Sequence, residues 1–204
     1  MPYFNIVAET SENTVVTEYE PVKKRSDSYQ SEAALEQEFI RLLCEQGYEY
    51  LPIHTEKDLI ANLRKKLEEL NNYQFSDTEW DDFFKNAVAN PNEHIVEKTR
   101  KIQEDNVQVL TRDDGSSKNI TLIDKKNIHN NRLQVINQYV IGTENGAKHD
   151  NRYDVTVLVN GLPLVHIELK RRGVAIREAF NQINRYQRDS FWAGCGSVSY
   201  THLR

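Results

Sequence analysis

The sequence of 204 residues has few cysteines and no long apolar stretch. Its two cysteines, Cys44 and Cys195, are too few for a disulfide framework or a cysteine-rich zinc site. No segment stays apolar over the roughly 20 residues that cross a bilayer, and the first residues lack the pattern of a secretory signal. These absences argue against a disulfide-rich secreted scaffold and against a membrane-spanning protein.

The sequence also lacks an overall positive charge and a phosphate-binding loop. The formal net charge is −5, so the chain has no global signature of a nucleic-acid-binding protein. The segment 142–148 superficially resembles a phosphate loop, but it lacks the four-residue spacer and the Gly-Lys-Ser/Thr ending. We therefore expect no ATP-driven motor within this chain.

Positive charge is instead concentrated after residue 169. Residues 170–188 contain six lysines and arginines and a single acid, Glu178. Contacts to phosphates position DNA without reading its sequence. The alternative is a solvated helix, which leaves unexplained why the basic run begins directly after a strand. We predict that five arginines bind DNA: Arg171, Arg172, Arg177, Arg185 and Arg188.

Ahead of this basic run, apolar and polar residues alternate as they do in two half-buried strands, at 153–160 and 163–170. An apolar face is formed by odd positions, namely Val155, Val157, Val159, Val165, Ile167 and Leu169, whereas the even positions include Asp154, Glu168 and Lys170. Two acids and a lysine are therefore predicted to share one face of one hairpin. His166 is on the same face, where it either contacts a substrate or makes a local hydrogen bond.

The predicted register brings the two acids together. With a three-residue loop at 160–162, paired residue numbers sum to 322, which places Asp154 opposite Glu168, with Cβ atoms about 4.5–5.5 Å apart. Carboxylates this close repel unless a cation lies between them, and Mg²⁺ is the natural candidate. Lys170 is predicted to orient or help deprotonate a water, or to stabilise charge on a phosphate. The alternative is a surface hairpin with an ordinary Glu–Lys pair.

A helix is predicted at 175–188, with Gln182 and Tyr186 four residues apart on one of its faces. The order Asp, Glu-x-Lys and then Gln-x-x-x-Tyr resembles the PD-(D/E)xK nuclease superfamily, in its RecB-like branch. The sequence around these residues is similar to that of the N-terminal nuclease domain of the restriction (R) subunit of type I restriction–modification enzymes. The resemblance implies catalytic roles for Asp154, Glu168, Lys170, Gln182 and Tyr186, with the Leu169 carbonyl as a further metal ligand.

The resemblance extends upstream to a helix predicted from Ser31 to Gly47, which has a capping residue, apolar positions at helical spacing and a glycine stop. In this superfamily a first helix often directs a glutamate toward the metal. Glu36 matches that position best, Glu32 is the second candidate, and a solvated helix face is the alternative.

The resemblance implies an α/β fold of three layers, with a central mixed sheet of four or five strands flanked by helices. We expect a leader at 1–30, a nuclease domain at 31–190 with a helical insertion at 56–103, and a truncated or non-native tail at 191–204. We interpret the chain as an N-terminal fragment and expect that residues from Ser197 onward do not continue the family's sequence.

The function implied is a Mg²⁺-dependent endonuclease domain that cuts unmodified double-stranded DNA in the bacterial or archaeal cytoplasm. Its expected partners are methyltransferase and specificity subunits, and ATP is expected only in the full-length subunit. Two alternatives remain. One is a stand-alone PD-(D/E)xK nuclease of the resolvase or repair type. The other is a non-catalytic domain that docks on DNA or a methyltransferase, although such a module does not need the Asp, Glu and Lys residues.

Overall fold

A computed structural model describes residues 4–9, 15–19, 31–93, 95–140, 152–170 and 199–203. The chain divides into two units, residues 1–30 and residues 31–204. In the first, strands β1 (Phe4–Glu9) and β2 (Val15–Tyr19) form an antiparallel pair with an irregularity between Ile6 and Ala8. The second unit carries every predicted catalytic and metal-binding residue.

The second unit is built on a five-stranded mixed sheet in the order β3-β6-β7-β8-β9. Its strands are β3 (Glu49–Tyr50), β6 (Leu133–Val140), β7 (Arg152–Val159), β8 (Leu162–Leu169) and β9 (Ser199–Leu203). The two outer pairings are parallel, and the two inner ones are antiparallel. The predicted mixed sheet is thus confirmed, and β9 lies in the segment that we expected to be a non-native tail.

Helices pack on both faces of the sheet and complete three layers. The first is α1 (Glu32–Glu45), which begins at Ser31, whose Oγ accepts a hydrogen bond from the Ala34 amide at 3.1 Å. Its apolar side packs on one face of the sheet. The helix and the sheet together form the α1 core, which contains Leu35, Phe39, Ile40, Leu43, Val135, Val155, Val157, Ile167 and Leu169.

The opposite face is covered by the segment predicted as a helical insertion. It contains α2 (Glu56–Asn71), α3 (Asp77–Phe83), which continues as a π-helical turn (Phe84–Val88), and α4 (Ile95–Gln103). The hairpin of β4 (Val107–Thr111) and β5 (Ser117–Thr121) follows. Together with the sheet these elements form the α2 core, whose central side chains are Leu59, Leu63, Leu67, Trp80, Phe83, Leu110, Ile120, Ile136, Tyr139, Tyr153 and Leu158.

Helix α2 is held on the sheet by polar as well as apolar contacts. Asn62 and the fully buried Gln134 of β6 exchange two side-chain hydrogen bonds, at 3.1 and 3.2 Å. These bonds satisfy both amides and so avoid the cost of burying an unpaired polar group. The segment predicted as an insertion is therefore a structural layer of the domain.

Among the helices that the structure describes, none has the length and apolar character needed to cross a membrane.

The turn between β7 and β8 fits directly under helix α2. It has two residues, Asn160 and Gly161, with φ of 53° and 84°, as expected of an Asn-Gly hairpin turn. A Cβ placed on Gly161 would lie 2.6 Å from the Cα of Leu63. Only glycine combines the positive φ with so close an approach to the helix backbone.

We predict that Gly161→Ala lowers the free energy of unfolding by about 2–4 kcal/mol, because left-handed strain and overpacking add. Gly115→Ala is the matched control. Gly115 also has a positive φ, of 79°, but a Cβ there would meet no atom within 4 Å, so we expect a loss of about 1–2 kcal/mol. Urea unfolding of the two variants measures the difference, and equal losses would show that the contact with α2 contributes nothing.

Candidate active site

The register of β7 and β8 brings Asp154 and Glu168 together, although not by the predicted route. The three-residue loop was wrong, because the turn has two residues and the pairing beside it is Val159 with Leu162. A bulge then adds Leu164 to β8, between the pairs of Leu158 with Pro163 and Val157 with Val165. Beyond this bulge paired numbers sum to 322, as in Val155 with Ile167, and the same register sets Asp154 across from Glu168.

At the same end of the sheet, the side chains of β6 no longer alternate between the two faces. Ile136 and Tyr139 of β6 are three residues apart, and a regular strand would point them to opposite faces, yet both belong to the α2 core. Between them Gln138 has a φ of 50°, a left-handed conformation that costs a residue with a side chain about 1–2 kcal/mol. Ladder pairs flank Gln138 and Asp154 on both sides, but these two residues form none.

Asp154 uses its side chain to bridge to the neighbouring strand. It is partly exposed, and its Oδ2 accepts a hydrogen bond from the Leu169 amide at 2.9 Å. The carboxylate therefore lies over the end of β8, beside Glu168. This contact ties the two predicted acids into one site.

Glu168 is a buried carboxyl group, with 4% of its surface exposed. Burial raises its pKa to about 7, and although the bond from Lys170 acts in the other direction, the charge of Asp154 and a hydrogen bond with it add to the rise. Two carboxyl groups share this small space, so a cation between them would relieve both the burial and the repulsion.

Lys170 lies directly on this pair. Its Nζ donates to Glu168 Oε1, and 17% of its side chain is exposed. Burial acts to lower the Lys170 pKa, but the bond to Glu168 and the charges of Glu168, Asp154 and Glu32 together raise it above its usual value. Lys170 is thus a protonated amine at neutral pH, suited to orienting a water or stabilising phosphate charge.

Helix α1 brings two acids to this end of the sheet. Glu36 is buried, with 8% of its surface exposed, and both of its oxygens accept amide hydrogen bonds, Oε1 from Asn137 at 2.6 Å and Oε2 from Gln138. Each oxygen keeps a second lone pair beside its hydrogen bond, and the role of Glu36 as a metal ligand stays a prediction. Glu32 is the acid of α1 whose charge acts on Lys170.

His166 has a local role. Its Nδ1 is 2.7 Å from the Thr156 hydroxyl, and its ring stacks on Tyr153 with centroids 4.1 Å apart. Burial lowers its pKa to about 3, so the ring is neutral. Of the two interpretations of this residue, the geometry shows the local hydrogen bond.

Several predicted site residues lie outside the described residues: Arg171, Arg172, Arg177, Gln182, Arg185, Tyr186 and Arg188. Among the residues that are described, sequence reasoning missed Asn137 and Gln138. Their polar side chains within an otherwise apolar strand were a signal that the sequence offered. The left-handed backbone of Gln138 had no such signal, because glutamine has no preference for a positive φ.

The described residues fit a Mg²⁺ ion. The site offers oxygen atoms from two carboxyl groups, and Mg²⁺ is typically bound by one or two carboxylates while keeping several waters. Within the described part of the chain, no cluster of three or more His, Cys, Asp or Glu side chains is arranged to hold a metal ion. Asp154 and Glu168 are the two carboxyl groups that the structure brings together here, and their role as metal ligands, with the Leu169 carbonyl, stays a prediction.

Comparisons with known proteins show what this chain is similar to. A family model described as "Type I restriction enzyme R protein N terminus" matches residues 29–201. The chain is 50% identical over 198 residues to the type I restriction enzyme EcoprrI endonuclease subunit of Escherichia coli, covering 97% of this chain and 62% of that protein.

More distant relatives show the same relationship over a smaller share of their length. The chain is 39% identical over 168 residues to the SsaAORF53P endonuclease subunit of Staphylococcus saprophyticus, covering 80% of this chain and 17% of that protein. It is 31% identical over 179 residues to the HindI endonuclease subunit of Haemophilus influenzae, with 77% and 17% covered. The chain thus spans between 17% and 62% of the length of these relatives.

We predict that Glu168→Gln changes the pH dependence of stability. Because the folded pKa of Glu168 is raised above the usual 4.5 to about 7, its contribution to stability is fully present below pH 4.5 and is lost as the pH rises toward 7. Glutamine removes that loss, so the variant should gain about 1–3 kcal/mol over the wild type between pH 4.5 and pH 8.

Urea unfolding at pH 4.5 and pH 8 measures this gain. Glu45→Gln is the control, because Glu45 is an exposed carboxylate on α1. If Glu168→Gln and the wild type lost the same free energy of unfolding over this range, the carboxyl group would not be destabilised by burial as the structure indicates.

Proposed function

The chain belongs to the family of type I restriction enzyme R protein N-termini, and on that premise we propose that it is a Mg²⁺-dependent endonuclease domain. Its reaction is the hydrolysis of phosphodiester bonds in unmodified double-stranded DNA. The observation that carries the proposal is the meeting of Asp154, Glu168 and Lys170 at the end of β7 and β8.

Each of these residues has a distinct role in the proposal. Asp154 and Glu168 hold Mg²⁺, with the Leu169 carbonyl as a further ligand. When bound, the ion supplies positive charge that favours ionisation of a water and stabilises charge on phosphate oxygens. Lys170, as a protonated amine, orients the attacking water or stabilises the charge that develops on the phosphate. Glu32 helps to keep Lys170 charged.

The remaining residues act on the DNA and on Lys170. Gln182 and Tyr186 orient Lys170 or the phosphate, and the five arginines between 171 and 188 bind the DNA backbone without reading its sequence. Sequence choice then belongs to a specificity subunit, which acts with a methyltransferase subunit in the bacterial or archaeal cytoplasm. ATP serves the motor of the full-length subunit.

We predict that the 204-residue chain binds Mn²⁺ or Mg²⁺ and that an Asp154→Ala, Glu168→Ala double variant binds it at least about tenfold more weakly. The variant lacks the two carboxyl groups that meet at the proposed site. Calorimetry measures the affinity. A Glu38→Ala, Glu45→Ala double variant is the control, because it removes two carboxylates that pair with Arg41 on the exposed side of α1. Equal affinity in both double variants would refute the metal assignment.

We predict that Lys170→Ala in the complete restriction enzyme lowers the rate of DNA cleavage by at least about 100-fold. ATP hydrolysis and translocation should continue unchanged, because Lys170 acts only on the water or the phosphate. Tyr186→Ala should reduce cleavage less, since it acts through Lys170 or the substrate's position. The isolated chain, without the motor that delivers DNA, should cut poorly or not at all.

Single-turnover cleavage assays beside ATPase assays separate these effects. Lys65→Ala, which removes an exposed lysine of α2, is the matched control. A Lys170→Ala enzyme that cuts at the wild-type rate would overturn the mechanism and leave only the fold.

A further inference from the structure

Glu36 joins three elements at the end of the sheet that carries Asp154 and Glu168. Its two oxygens accept from the Asn137 and Gln138 amides of β6. Asn137 in turn accepts a hydrogen bond from the Tyr50 hydroxyl of β3 at 2.9 Å. One buried carboxylate on α1 thus fixes two consecutive residues of β6 and, through Asn137, the edge strand.

The second of these residues is the one with the unusual backbone. Gln138 has a φ of 50° and falls where the ladder between β6 and β7 is interrupted. Its partner by register is Asp154, since Asn137 pairs with Val155 and Tyr139 pairs with Tyr153. The hydrogen bond to Glu36 therefore holds Gln138, with its left-handed backbone, directly opposite Asp154, one of the two proposed metal ligands.

The interruption has a consequence for Asp154. Val155 belongs to the α1 core, whereas Tyr153, at a position of the same parity, belongs to the α2 core. The chain must change faces between them, which is at Asp154. At this position the Asp154 carboxylate accepts a hydrogen bond from the Leu169 amide of the neighbouring strand.

We propose that Glu36 is a positioning residue, which holds the left-handed turn at Gln138 and thereby sets the place of the Asp154 carboxylate beside Glu168. The inference rests on the proposed metal site and deepens it. It differs from the expectation that Glu36 binds the metal directly. In the positioning role Gln138, which has no carboxylate, matters as much as Glu36.

Metal affinity distinguishes the two roles. We expect Glu36→Gln and Gln138→Ala each to lower Mn²⁺ affinity about tenfold in calorimetry, and the double variant to bind no more weakly than either single one. Glutamine at 36 keeps the shape of the side chain but cannot accept from both amides. A Gln138→Ala chain with wild-type affinity would overturn the positioning role and favour direct ligation by Glu36.

Gln138→Gly tests whether the backbone turn is what matters. Glycine adopts a positive φ without steric cost, so its Mn²⁺ affinity should fall between those of the wild type and Gln138→Ala. A role in packing alone predicts the reverse order, because alanine leaves the smaller gap. Glycine binding as weakly as alanine, or more weakly, would therefore overturn the inference.

The placement of Asp154 can also be read without metal. Hydrogen exchange of the Leu169 amide, followed by NMR in the metal-free chain, reports its bond to Asp154. We expect exchange to accelerate at least about tenfold in Glu36→Gln and Gln138→Ala, as in an Asp154→Ala reference, but not in the Glu45→Gln control. Unchanged Leu169 exchange would refute the positioning role, whereas a wild-type chain that binds no Mn²⁺ would refute the proposed metal site.

Discussion

The register between β7 and β8 is the constraint on which the site depends. Side chains in a strand alternate between faces, so a slip of one residue would send Asp154 and Glu168 to opposite sides of the sheet. The two-residue turn by itself gives a register in which paired residue numbers sum to an odd number, as the pairing of Val159 with Leu162 shows. In that register the two acids would lie on opposite faces. The bulge at Leu164 restores the even register further along. The bulge is thus what allows a tight Asn-Gly turn and a shared acidic site in the same hairpin.

Much of the architecture follows from periodicity. The apolar spacing predicted α1, a helical segment was expected at 56–103, and the alternation predicted β7 and β8 to within one residue at each end. Periodicity succeeds because each apolar set is buried against a definite layer. The register was reached by assuming that Asp154 and Glu168 share a face, and the assumed loop was one residue too long.

What could not be predicted lies where local preference is overruled by tertiary contacts. No feature of glutamine favours a positive φ, yet Gln138 takes one while its side chain donates to Glu36, a residue more than 100 positions earlier. Glu36 was singled out for its place on α1, but its partners Asn137 and Gln138 were not. A sequence states which side chains can accept a hydrogen bond, whereas which donor arrives is decided by the packing of α1 on the sheet.

Burying charged groups at this site costs the fold free energy. The raised pKa of Glu168 follows first from its burial, and the ammonium of Lys170 only partly offsets the penalty. An apolar residue at position 168 would avoid this penalty, since only 4% of the Glu168 surface is exposed. The same burial that destabilises the carboxyl pair would strengthen its interaction with a cation, because the local dielectric is low.

The two ends of the hairpin have separate tasks. At the turn, the buried Asn160 donates to the Leu122 carbonyl at 3.0 Å and accepts from the Arg132 amide at 2.8 Å, while Gly161 fits under α2. The acids lie six residues away along β7, or about 20 Å. The helical segment thus anchors the turn and fixes the strands, whereas α1 and β6 make the contacts to the site. Substitutions at the turn should therefore act on stability, and those at the contact between α1 and β6 on the chemistry.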